Sequence, residues 1–351
     1  MGQYSGQTGS GDNLGTVNIE EDVRGSGSDE AGKIFSGGDL GTLNVGGSII
    51  GDQGDFGGLF NDFIGQLSTR GDFINLIGQI SARGTIGTVK IGDDLEGGSG
   101  SSSAQIQGAA IKKVTIDGDI EGNGDFSASI IAFEGSIGSI LVDGDVQADD
   151  SFGSAWIVAA DSISSVTAQT LLGASESRAT IIAGNHIGKV TIADRTDRAD
   201  ILAGYDIFNP INRDASIGTV IVGIGEGAGT ITDTNIVAGA TTGEGQTDDF
   251  TFGTFDDFPI GLFDSGEFDD RVLSKISKVI INGGVIVGPE PGRIFGIVAE
   301  HVGSVKIGSQ KLSLHKGGHN DYLSATGSAD PNEAPDGDVF VNEMEFWFNV
   351  S

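Results

Sequence analysis

The chain has 351 residues, of which 60 are glycine and none cysteine, and its 50 acidic side chains outweigh 19 basic ones to leave a net charge of −31. Glycine at more than twice its usual ~7 per cent argues against a helical protein, and the lack of an every-third-residue period excludes collagen. The missing cysteines exclude disulfides and thiolate metal sites, while so acidic a surface repels phosphate backbones and anionic lipid, so neither nucleic acid nor membrane insertion is expected.

The opening Met1-Gly2-Gln3-Tyr4-Ser5-Gly6 lacks the basic and apolar regions of a signal peptide. No run reaches the ~18 apolar residues of a membrane span, so the chain is either cytoplasmic or a mature or excised segment with an added methionine, and the repeats favour the excised segment. The first structural signal follows at Leu14-Gly-Thr-Val-Asn-Ile19, a phrase that returns at Leu40, Ile86, Ile111, Ile137, Ile163, Ile187, Ile217, Ile276 and Val302. From Ile86 to Ile187 the starts lie 25, 26, 26 and 24 residues apart, and the last two are again 26 apart. In each phrase the closing Val-x-Ile pair has period two, which predicts a strand with one buried face and the middle residue pointing out.

A second apolar segment precedes most phrases, as in Ile130-Ile131-Ala132, Ile181-Ile182-Ala183-Gly184 and Ile201-Leu202-Ala203-Gly204, so each repeat carries at least two strands. Corners such as Asp117-Gly118-Asp119 and Asp143-Gly144-Asp145 separate them. One repeat cannot bury its own apolar face, and stacking about ten of them, at roughly 25 residues each, does. The expected fold is therefore all-β, a parallel β-helix (β-solenoid) over residues 1–310.

Two intervals break the period, 46 residues from Leu40 to Ile86 and 59 from Ile217 to Ile276. They predict insertions at about 51–80 and 241–272, both rich in phenylalanine: Phe56, Phe60, Phe63 and Phe73, then Phe250, Phe252, Phe255, Phe258, Phe263 and Phe268. Leu59, Phe60, Phe63, Ile64 and Leu67 have helical spacing, which predicts a short amphipathic helix there. Residues 311–351 read as a polar loop and a C-terminal capping strand, Val339–Val350, that blunts the open end of the stack.

The Ile-Gly-Ser-Val-x-Ile phrases, the Ile-Leu-Ala-Gly turns and the closing run from Phe295 to Ile307 resemble the C-terminal solenoid regions of very large bacterial adhesin-like and cell-surface proteins. The resemblance implies extracellular localisation and a structural or adhesive role, with self-association or neighbouring copies as partners, and it carries over no site residue.

The strongest chemical signal is acidic. Ca²⁺ takes six to eight oxygen ligands, and stacked corners that align Asp93, Asp94, Asp117, Asp119, Asp143 and Asp145 are the expected place for it. Good turn chemistry on a solvated edge explains the same residues. His186, His301, His315 and His319 are expected as surface histidines. Parallel β-helices also bind or cleave extracellular polysaccharides with paired carboxylates or a basic residue beside Ca²⁺. Here Arg70, Arg83, Arg178, Arg195, Arg198, Arg213 and Arg271 are scattered relative to the acidic corners. The expectation is a protein that is not an enzyme.

Overall fold

A computed structural model describes residues 8–25, 32–51, 78–207, 209–224, 229–242, 252–253, 257–261, 272–285, 295–318, 321–324 and 339–344. The helix expected over Leu59–Leu67 lies outside the described residues, as do Phe56, Phe60, Phe63, Phe73, Phe250, Phe255, Phe263 and Phe268. No helix occurs among the described residues, and the architecture is all-β with long parallel sheets, the construction a β-solenoid requires. The chain divides into two compact units, Met1–Thr180 and Ile181–Ser351.

In the first unit the phrases form one parallel sheet of strands Leu14–Ile19, Leu40–Val45, Thr85–Ile91, Ala110–Ile116, Ile137–Val142 and Ser162–Ala168. Each phrase pairs with its own equivalent: Leu14 with Leu40, Leu40 with Ile86, Ile86 with Ile111, and Ile111 with Ile137. The 46-residue interval thus leaves Leu40–Val45 paired directly with Thr85–Ile91. Ile111, Val114 and Ile116 are buried, while Lys112 and Lys113 are exposed, so the strand turns three apolar side chains inward and its lysines out. Such burial stabilises each Ile or Val by about 1.5–3 kcal/mol, and in-register stacking repeats that gain along the sheet.

Two further stacks complete the unit. One holds the segment before each phrase: Ile34–Ser36, Ile80–Ala82, Ile106–Gly108, Ile130–Ala132 and Ile157–Ala159. The other follows the corner and runs through Val23–Arg24, Ile49–Ile50, Leu95–Glu96, Ile120–Glu121, Asp145–Gln147 and Thr170–Leu172. Sequence patterning misses this third strand, because only its single inward residue, Leu95 or Ile120 for example, is consistently apolar.

The second unit keeps the phrase sheet in His186–Ile192, Ser216–Val222, Lys275–Ile281 and Val305–Ile307, with Ile217 paired directly to Ile276. Its other two strands fuse into single nine-residue strands, Arg195–Ala203 and Thr230–Ala238. Each bends at one left-handed residue, Arg198 (φ 48) and Asp233 (φ 44). The registers Asp197 with Thr232 and Ala199 with Thr234 make the two bends equivalent. Val339–Glu343 adds in parallel to Phe295–Ala299 and takes Tyr322–Ser324 antiparallel on its other side. One expectation fails on the outward row of the phrases: Lys90 and Lys306 are exposed, but Thr191 is only 6 per cent exposed.

Candidate functional site

The acidic corners of the first unit form a ladder running from repeat to repeat. The Asp22 carboxylate accepts a hydrogen bond from the Ser48 N–H at 3.0 Å, and the Ser48 hydroxyl accepts one from the Asp94 N–H at 3.2 Å. Asp94 then accepts from the Asp119 N–H at 2.8 Å, and Asp119 from the Asp145 N–H at 2.7 Å. A second ladder runs at another corner, where Asn13 accepts from the Asp39 N–H at 2.8 Å and Asp39 from the Thr85 N–H at 2.7 Å.

This geometry explains the Asp-Gly-Asp pattern. A Cβ on Gly47 would overlap the Asp22 carboxylate oxygen, and a Cβ on Gly144 would overlap that of Asp119. Glycine leaves room for the carboxylate of the preceding repeat, and the residue after it donates its N–H to that carboxylate.

The six expected site residues separate accordingly. Asp94, Asp119 and Asp145 share the ladder column. Asp93 stands one position earlier, where its carbonyl accepts the Gly118 N–H at 2.9 Å. Asp117 and Asp143 stand earlier still, and Asp117 faces Lys90 at 3.2 Å. The ladder brings in two acidic residues that the sequence reading passes over, Glu96 and Glu121, which pair in direct register. Burial pushes the Glu121 carboxyl above its ordinary value, and the charges of Asp119, Glu96, Asp94 and Asp145 push it the same way. Asp22 moves down, held first by the Ser48 N–H and then by Arg24. Among the described residues no group of three or more acidic or histidine side chains is arranged to hold a metal ion.

The loops leading to the next repeat carry their own periodic signal. Ser103-Ala104, Ser127-Ala128 and Ser154-Ala155 stack with buried serines and with alanines at φ 51, 49 and 52. The Ser127 hydroxyl accepts the N–H groups of Asn123 and Gly124 at 2.9 and 2.8 Å. A recurring Ser-Ala-x-Ile in the sequence marks these turns. Beside them Phe126, Phe152 and Trp156 form an edge-to-face cluster with centroids 5.1–6.0 Å apart, and Phe152 is 49 per cent exposed.

The second unit buries several carboxylates. Glu300, fully buried, pairs with Arg213, 87 positions away, and also accepts the N–H groups of Leu273 and Ser274 at 3.0 and 2.8 Å. Arg213 is therefore not a stray basic residue; the separation hides the pair from sequence reading. Glu343, also fully buried, accepts the Val302 N–H at 2.6 Å and lies 3.1 Å from the His301 ring. Asp321 holds His315 through both the backbone N–H and the ring, each at 2.7 Å. Asp257 accepts from Gly253 N–H and the Asn342 amide at 2.7 and 3.0 Å, joining the second phenylalanine-rich interval to the last strand. Phe252 is buried there against Tyr205, whose hydroxyl donates to the Ala240 carbonyl. Burial, with Asp257 and Asp200 nearby, pushes that phenol well above its ordinary value. These carboxylates accept hydrogen bonds from neighbouring donors, an arrangement that holds strands together. No protein-family model matches this chain, and no curated protein or solved structure matches it either.

Proposed function

We propose that this chain is a structural, adhesive solenoid segment of an extracellular cell-surface or matrix protein, stabilised by calcium along its acidic corners. In this reading about ten coils of roughly 25 residues stack, with phenylalanine-rich insertions in two of them and a C-terminal cap. The observation that carries it is the carboxylate ladder: Asp22, Asp94 and Asp119 each spend an oxygen on the backbone of the next repeat. The residues richest in chemistry thus serve stacking. The remaining charge crowds around Glu121, and a cation bound there stabilises the folded chain by mass action.

The test compares melting in calcium, magnesium and sodium chloride at matched ionic strength. Calcium is expected to raise the melting temperature most, since magnesium gives up its waters reluctantly. Glu96→Gln with Glu121→Gln is expected to remove that advantage. Equal effects of the three salts sink the calcium site and leave only screening. Antibody labelling of intact producing cells tests the location, and labelling only after lysis overturns it. A second reading, binding or cleavage of an extracellular polysaccharide, is favoured by the Phe126, Phe152 and Trp156 cluster, since an exposed ring stacks on sugar faces. Loss of glycan binding on Phe152→Ala is its test.

A further inference from the structure

Charge on this chain is segregated by element. Of its 50 acidic side chains none falls on the strands built from the repeated phrase. Most of its lysines do: Lys90, Lys112 and Lys113 in the first unit, and Lys189, Lys275, Lys278 and Lys306 in the second. In a protein with a net charge of −31, a basic sheet face free of acids is the opposite of what composition predicts.

The second unit carries the clearest case. Ile187, Val190 and Ile192 are buried in the core, which leaves Lys189 exposed on the other side of the strand. Register sets Lys189 on Thr219 and Thr219 on Lys278, so the two lysines stand two strand spacings apart, about 9–10 Å, with a hydroxyl between them. In the next column Ser216 lies between His186 and Lys275, and Lys306 follows Ile280 in a third. All four lysines are exposed, and among the described residues none has a carboxylate within ion-pair distance, whereas Lys90 of the first unit faces Asp117.

We propose that this face of the second unit binds an acidic polysaccharide, a chain whose sugars carry carboxylates. Each such sugar offers a carboxylate to a lysine and hydroxyls to Ser216 or Thr219. Charge complementarity calls for an anion, and side-chain composition decides which kind. Interfaces between proteins are depleted in lysine and enriched in aromatic residues, and these strands carry four lysines with no Phe, Tyr or Trp. Nucleic acid is held by arginine forks and by aromatic rings that stack on bases, and the strands have neither. A hydrated, hydroxyl-rich polyanion needs neither. The inference goes beyond the structural reading above: it gives the adhesive role a ligand, on strands that include neither the acidic corners nor the Phe126, Phe152 and Trp156 cluster.

The experiment titrates the full chain with polygalacturonate by calorimetry, in sodium chloride without divalent cations, so that no calcium bridges protein and glycan carboxylates. Wild type is expected to bind polygalacturonate and not a neutral galactan. Binding is expected to vanish in about 1 M sodium chloride, where the Debye length falls to about 3 Å. One variant combines Lys189→Gln, Lys275→Gln, Lys278→Gln and Lys306→Gln, and a second changes the same four lysines to arginine. All four positions are exposed, and unchanged circular dichroism melts are the check that both variants fold. The glutamine variant is expected to bind roughly tenfold or more weakly, and the arginine variant to retain binding because it keeps the charge.

A wild type that does not bind polygalacturonate overturns the proposal, as does a glutamine variant that binds like wild type. If Phe152→Ala abolishes binding while the lysine changes do not, the glycan sits on the aromatic cluster and the phrase face is not its site. Polyglutamate or single-stranded DNA bound more tightly than polygalacturonate makes an acidic protein or a nucleic acid the partner and sinks the glycan. Any of these failures leaves the calcium melts and cell labelling as they stand, so the structural reading is tested separately.

Discussion

Glu121 sits in register on Glu96 with Asp94, Asp119 and Asp145 nearby, and its carboxyl is raised above 4.5 by burial and by these charges. A raised carboxyl means that the folded chain binds more protons than the unfolded one between the ordinary and the raised value. Stability therefore falls as pH rises through that window, and the full cost of the charge is present above it. Glu121→Gln is expected to melt higher than wild type at neutral pH and low salt, with the two converging as pH drops to the ordinary carboxyl range. Asp22 has the opposite sign: lowered below 3.8 by the Ser48 N–H and Arg24, it adds stability above that value and loses it as pH falls further. The same residue allows a double-mutant test of the corner. Gly47→Ala should destabilise by placing a methyl on the Asp22 carboxylate, and should cost less in an Asp22→Ala background. Additive effects would mean that the two residues do not share the space.

Within the second unit strands are held by two different means. In the phrase sheet Val190 is fully buried, and Val190→Asp places an uncompensated carboxylate among apolar side chains, an expected loss of about 4 kcal/mol or more by denaturant unfolding. Thr191, although it points the other way, is only 6 per cent exposed, so Thr191→Asp is also expected to destabilise, by less because its face is not the core. In the second unit Arg213 and Glu300 tie Ser274 and the end of Phe295–Ala299 to a residue 87 positions away. Arg213→Ala leaves a fully buried carboxylate short of its cation, and such losses cost about 3–5 kcal/mol. Glu300→Gln retains an acceptor and is expected to cost less; equal losses would assign the effect to packing alone.

For the molecule as a whole, the net charge of −31 governs behaviour in salt. Carboxylates spaced by one repeat, ~4.8 Å, lie well inside a Debye length of ~8 Å at physiological ionic strength. Self-repulsion should therefore lower the melting temperature as sodium chloride is diluted, and the dependence should weaken near pH 4, where many carboxylates are protonated. A melting temperature indifferent to salt at neutral pH would show that the ladders and ion pairs already neutralise this charge.

The repeated Val-x-Ile pairs are local, and by themselves they determined the all-β class, the inward face of each phrase and the pairing of Leu14 with Leu40 or Ile111 with Ile137. Ile217 and Ile276 carry the same phrase and likewise pair directly. The short strands Leu95–Glu96 and Ile120–Glu121 needed the tertiary structure, since two residues hold no periodicity and are strands only through their neighbours in adjacent repeats. Stacking likewise decided that Asp94 and Asp119 bond the next repeat while Asp93, Asp117 and Asp143 stand elsewhere, because one Asp-Gly-Asp resembles another until register assigns each carboxylate an N–H. The pairs of Arg213 with Glu300 and His301 with Glu343 lay furthest from sequence reading, because their partners are 87 and 42 positions apart and only the packed chain brings each buried carboxylate to its counterpart.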